Sequence, residues 1–153
     1  MLTEPPTPGK AGDVAVAALL RGSSVLLVRT RSFPNLWQPP GGKIHPYDAS
    51  PEEAIHRELS EELGLQISHE DLILFGSQPA DLVEGTVYFF VGRLGDRLAI
   101  HPDTDELLET QWAGLKNATR MPMGTATRRF LEELQLSLSA TPERIGEKNE
   151  HNS

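Results

Sequence analysis

Three carboxylates, Glu58, Glu61 and Glu62, stand close together near the end of the stretch GGKIHPYDASPEEAIHRELSEELGL, which runs from Gly41 to Leu65. At about 100° per residue of an α-helix they fall in a sector roughly 100° wide, so they share one side of a helix. Like charges packed that closely repel at neutral pH. The arrangement makes chemical sense when a hard divalent ion with oxygen ligands, Mg²⁺ or Mn²⁺, lies between them. Glu-rich helix faces are also common as plain solvated surface, with Arg57 here as a partial counterion, so the flanking residues must decide.

The helix itself is well delimited. Ile55, Leu59 and Leu63 form an apolar stripe beside the acids, so one face is core and the next is acid. Ser50, Pro51 and Glu53 supply an N-cap, a first-turn proline and a capping-box acid, and Gly64 suits the C-terminal stop. Just upstream, Pro39-Pro40-Gly41-Gly42 lets backbone approach a ligand closely, because glycine carries no Cβ to obstruct it.

This segment resembles the Nudix box of the Nudix hydrolases: Gly, five residues, Glu, seven residues, Arg-Glu, a large aliphatic, any residue, Glu-Glu, any residue, Gly, a large aliphatic. Gly42, Arg57, Glu58, Leu59, Glu61, Glu62, Gly64 and Leu65 match as they stand. Two departures occur together. The first acid is Asp48 rather than Glu, and eight residues rather than seven separate it from Arg57. The additional residue falls in the loop before Ser50 and leaves the spacing of the helical acids untouched.

The resemblance implies a divalent-metal-dependent hydrolase that cleaves a phosphoanhydride bond of a nucleoside diphosphate linked to a group X. Glu58, Glu61 and Glu62 would hold Mg²⁺ or Mn²⁺, with the Gly42 carbonyl as an additional ligand. Arg57 would orient a carboxylate or contact phosphate. The general base would be Glu61 or a distal acid, Glu106, in the loop HPDTDELLETQW, with Glu109 the weaker candidate there. MutT-like cleaning of modified nucleoside triphosphates leads among the substrates, with nucleotide sugars and dinucleoside polyphosphates open. The alternative is a catalytically silent Nudix fold kept as a nucleotide-sensing or interaction module; retention of all three helical acids speaks against it.

Composition agrees with one small catalytic domain. At 153 residues, 38% hydrophobic and 24% charged, the chain is globular and long enough to bury a working core. It has no cysteine, which excludes disulfides and thiolate sites and fits a cytoplasmic protein. The opening MLTEPPTPGKAGD lacks a signal-peptide pattern, and no apolar run reaches the length of a membrane span. A net charge of −8 argues against a nucleic-acid polymer as partner, though not against a small phosphorylated substrate. A monomer or homodimer is expected.

The elements that must position the acids follow from periodicity. Residues 14–20 and 25–29 read as buried strands around a turn at 21–24; 72–75 and 86–91 are further strands, and 109–113 a weaker one. Phe130, Leu131, Leu134 and Leu138 place a second amphipathic helix over 125–138. Irregular alternation of strands and helices favours a mixed sheet between helices. The resemblance implies the same fold, an α/β/α sandwich over 13–138, with polar, mobile segments at 1–12 and 139–153. Phe33, Leu36 and Trp37 could stack on a base, and Arg29 and Arg31 could contact phosphates, against the blander readings of loop packing and surface charge. The five histidines show no metal-ligand spacing.

Overall fold

Strands β1 (Val14–Arg21) and β2 (Ser24–Thr30) form a hairpin that pairs only at its tip, Leu20 opposite Val25 and Arg21 opposite Ser24. Beyond the tip the two strands part, and the fork between them is filled by the segment from Gln38 to Lys43. On one arm, β3 (Gly41–Lys43) runs antiparallel to β1, with Val16 opposite Gly41 and Val14 opposite Lys43. On the other arm, Val28 and Gln38 exchange main-chain hydrogen bonds of 2.8 and 2.9 Å. The glycine segment is therefore held by both strands and becomes part of the sheet. This computed structural model describes residues 12–80 and 84–140; the expected end segments 1–12 and 139–153 lie almost wholly outside that range.

The remaining strands are β4 (Leu72–Pro79), β5 (Thr86–Arg93) and β6 (Leu107–Gly114), and the order across the sheet is β4-β5-β1-β2-β6. β1 and β5 are parallel and the other pairings antiparallel, so the sheet is mixed. Side-chain alternation on the strands divides the core in two. Ala15, Ala17, Leu19, Leu26 and Phe90 pack with Ile55, Leu59 and Leu63 of helix α1 (Pro51–Leu63). Val16, Ala18, Leu20, Leu27 and Phe89 pack on the other face with Phe130, Leu131 and Leu134. Those three belong to the last helix, Thr125–Ala140, which follows the short α2 (Leu115–Ala118) and is α3. Near-continuous apolar runs in β1, β2 and β5 are what a sheet covered on both faces requires. The result is an α/β/α sandwich with a mixed sheet, as expected.

Every anticipated strand is present, and β4 and β6 run longer than periodicity indicated. β3 is not among the expected strands: two glycines and a lysine carry no hydrophobic alternation, and its pairing arises from the fork. α3 extends two residues beyond Leu138.

Gly41 shows how tightly the fork is filled. Its φ is +149°, and a Cβ there would lie 2.1 Å from the Ala15 carbonyl oxygen. Gly41→Ala should therefore cost about 2 kcal/mol or more in urea unfolding, from backbone strain plus collision. Gly76→Ala, with open space around the added methyl, should change stability by no more than about 1 kcal/mol.

Candidate active site

Helix α1 begins as the sequence indicates: the Ser50 side chain accepts from the Glu53 N–H at 3.1 Å, with Pro51 in the first turn. Glu53 reaches back to the Ala49 N–H at 3.4 Å, one residue earlier than a standard capping box. At the other end Gly64 adopts a left-handed φ of 65°, and the N–H groups of Gly64 and Leu65 close on Ser60 and Leu59. Both helix ends are thereby fixed, and so is the direction in which its acids project.

Arg57 is the cation of the site, and all five of its N–H donors are used. Nε and Nη2 form a fork on Asp48 at 2.9 and 2.8 Å. Nη1 donates to Glu58 at 3.3 Å and Glu61 at 3.1 Å, and Nη2 also donates to the Lys43 carbonyl at 3.1 Å. Asp48, buried, further accepts from the His45 N–H at 2.8 Å. The guanidinium beside it, more than the backbone donor, holds the Asp48 carboxyl below the usual carboxylate range despite burial. In this arrangement the Arg57 donors all go to carboxylates and to one main-chain carbonyl.

Glu58 and Glu62, both buried, converge with exposed Glu106, their carboxylate oxygens within 4.8 Å of one another. The Glu106 loop is docked onto the end of α1: His101 N–H donates to the Leu63 carbonyl and Asp103 N–H to the Glu62 carbonyl, at 2.7 and 2.8 Å. These bonds satisfy helix carbonyls that would otherwise lack partners. Directly after β2, Arg31 braces the same loop through the Thr104 and Asp105 carbonyls at 3.1 and 3.0 Å, and its main-chain N–H donates to the Glu106 carbonyl. Glu61 does not join the cluster; it turns toward Arg57 with its side chain 58% exposed.

The strand register also revises the place of Gly42. Gly41 N–H donates to Glu62 at 3.2 Å, and the Lys43 carbonyl accepts from Arg57, so both residues direct main-chain groups away from β1. By alternation, those of Gly42 face Ala15, which leaves its carbonyl in the ladder and not among the acids. What Gly42 contributes is space: a Cβ there would lie 2.6 Å from a Glu58 oxygen.

The acids open into a cleft of about 510 Å³. Val14, Val16, Val87 and Phe89 line its apolar part, with Phe33, Lys43, His45 and Arg31 also on its walls. The sequence does not single out Lys43 and gives His45, with the other histidines, no metal-ligand role; the signal for both is their position just after the glycine segment. Arg29 and Trp37 are not on the cleft. Arg29 donates twice to Glu109, at 3.0 and 2.7 Å, and its guanidinium lies 5.5 Å from the Trp37 ring centre. That arrangement removes Glu109 from the acid cluster as well.

Burial pushes the Glu58 carboxyl up to about 7, against the lowering pull of Arg57. Burial, with Glu58 adding to it, pushes Glu62 up to about 8. A donor set made only of oxygens, with two members reluctant to ionise unless a positive charge arrives, fits a hard divalent cation.

Residues 11–134 match the NUDIX domain, and the chain belongs to that family. It is 29% identical over 136 residues to the NAD-capped RNA hydrolase NudC of Pseudomonas syringae pv. tomato, covering 85% of this chain and 46% of that protein. It is 42% identical over 66 residues to the m7GpppN-mRNA hydrolase NUDT17 of Danio rerio, covering 39% of this chain and 22% of that one. The chain thus spans less than half the length of these relatives. In fold it is similar to the Escherichia coli dihydroneopterin triphosphate pyrophosphohydrolase, with a TM-score of 0.70 at 18% identity over 86% of this chain and 99% of that one.

Because both carboxyls bind protons more tightly folded than at their ordinary value of 4.5, the folded state holds more protons than the unfolded between about pH 4.5 and 8. Stability of the metal-free protein therefore falls as pH rises through that window. Glu62→Gln should raise the melting temperature in chelator at pH 8 by several degrees and bring little change at pH 5. Equal effects at the two pH values, read by scanning calorimetry, would contradict the buried-charge account.

Proposed function

We propose that the chain is a divalent-metal-dependent hydrolase that cleaves a phosphoanhydride bond of a nucleoside diphosphate linked to a group X. The observation that carries this reading is the convergence of Glu58, Glu62 and Glu106 on a cleft that has an apolar part lined by Val14, Val16, Val87 and Phe89. Glu58 and Glu62 would hold Mg²⁺ or Mn²⁺, with Glu106 beside it, and the ion when bound would neutralise charge on the phosphate oxygens. Arg57, through Asp48, fixes Glu58 and Glu61; Asp48 takes the place of the first Nudix-box Glu, and the additional loop residue is accommodated before Ser50. The apolar walls suit a nucleobase, and Lys43 and Arg31 line the same cleft as positive charges.

Hydrolysis needs an acceptor for the proton of the attacking water as the P–O bond to the leaving phosphate breaks. Glu106 is the better placed of the two candidates, being exposed at the cleft and near the buried acids, whereas Glu61 is engaged by Arg57. The substrate class rests on kinship: NudC is named for NAD-capped RNA, the Danio protein for capped mRNA and the E. coli protein for a triphosphate, all compounds with a phosphoanhydride. Modified nucleoside triphosphates, nucleotide sugars and dinucleoside polyphosphates form the panel to test, in Mg²⁺ and Mn²⁺, with products identified by chromatography.

On a substrate found in that panel, excess chelator should abolish turnover and added Mg²⁺ or Mn²⁺ should restore it; undiminished activity in chelator would end the metal reading. Glu62→Gln should lose about 10²-fold or more in rate, the scale of one strong electrostatic contact in the transition state.

Glu106→Gln should lower kcat and remove the acidic limb of the pH–rate profile, while Glu61→Gln has the smaller effect. The reverse order would make Glu61 the base.

A further inference from the structure

The turn between β3 and α1 carries two aromatic rings that the chemistry above leaves unused. The His45 and Tyr47 rings stack with centres 5.1 Å apart and planes 9° from parallel. His45 lines the cleft that contains the acids, and Tyr47 extends the stack outward, 71% exposed. An exposed tyrosine is ordinarily unremarkable surface. This one is held in place. The Asp48 N–H donates to the His45 carbonyl at 3.0 Å, closing a four-residue turn with Pro46 at its second position, where the proline ring pre-sets the backbone. The Asp48 carboxylate accepts from the His45 N–H and, inside the protein, takes the two-pronged bond from Arg57. The Arg57 guanidinium also lies 5.5 Å from the Tyr47 ring centre. One buried ion pair therefore orients the acids on one side and the aromatic pair on the other.

We infer that His45 and Tyr47 form a stacking platform for a planar heteroaromatic ring in group X, such as a second nucleobase. The inference rests on the function proposed above and narrows it. The nucleobase of the nucleoside diphosphate lies on the apolar walls at Val87 and Phe89, the phosphates pass the acids, and the ring of X rests against His45 and Tyr47. Rigid aromatic surface at a fixed distance from the acids favours two-ring substrates without any base-specific hydrogen bond, since every base presents a π-face.

The test compares a dinucleoside polyphosphate with the matching nucleoside triphosphate, which has no second ring, on wild type, Tyr47→Ala and Tyr47→Phe. Tyr47→Ala should raise KM for the two-ring substrate about tenfold relative to the triphosphate, the scale of one lost base–aromatic stack, and Tyr47→Phe should restore it. Calorimetric binding of a methylene-bridged, non-hydrolysable two-base analogue should weaken to the same degree in Tyr47→Ala. Equal loss on both substrates, or no loss on either, overturns the platform. If wild type hydrolyses nothing in the panel, the proposed function fails, and the analogue titration still decides whether Tyr47 binds the second ring.

Discussion

Two glutamates buried side by side are the constraint around which this domain is arranged. Each resists ionisation where it sits, Glu62 more than Glu58; burial is the main cause in both, with Glu58 adding to the cost of charging Glu62 and Glu106 to that of charging Glu58. A helix with such a face survives only if something compensates in the absence of a bound cation. Arg57 provides part of this for Glu58, but it is itself held in a buried fork by Asp48. An ion pair this enclosed adds little net stability over an apolar pair. Its value is directional, because a planar guanidinium with every donor engaged fixes the relative positions of the β3 carbonyl, the turn before α1 and two acids of α1.

The same constraint explains the fork in the sheet. Acids projecting from α1 toward the sheet would collide with an ordinary strand; Gly42 leaves the room Glu58 needs, and the Gly41 N–H offers Glu62 a hydrogen bond. Such a segment is too short and too glycine-rich to persist as a strand alone. The splayed arms of β1 and β2 hold it from both sides, and the strands away from the tip give up pairing with each other to do so.

The parts of the molecule legible in the sequence are those whose signal is local. Helix α1 could be delimited because Ser50, Pro51 and Gly64 act within their own turns, and the strands of the central sheet because both their faces are apolar. The acid triad was harder. Helical spacing puts Glu58, Glu61 and Glu62 on one side, yet Arg57 stands one turn before Glu61 and draws it out of the cluster, a competition that angular counting does not weigh. The third member, Glu106, is positioned by bonds from its loop to the end of α1 and to Arg31, none of them recorded in periodicity. Asp48 is shorter than the Glu of the box and one residue farther from Arg57 along the chain. In the fold the turn at Pro46 brings it to Arg57, so distance along the chain was the wrong measure.

The commitments of the arginines bear on how a polyphosphate can be held at all. Arg57 is saturated by acids and a carbonyl, Arg31 spends its guanidinium on two carbonyls, and Arg29 is paired with Glu109. Lys43 lines the cleft and makes no ion pair among the described residues. Lys43 and Arg31 are the positive charges on a cleft that also holds three acids, and a net charge of −8 makes the wider field repulsive to a chain of phosphates. On the proposed function, further positive charge would arrive with a cation, which would turn the acids from an obstacle into the means of binding. A cation of that kind would serve binding as much as bond cleavage, and the arginines that a phosphate site would ordinarily use are free to hold the protein scaffold in register.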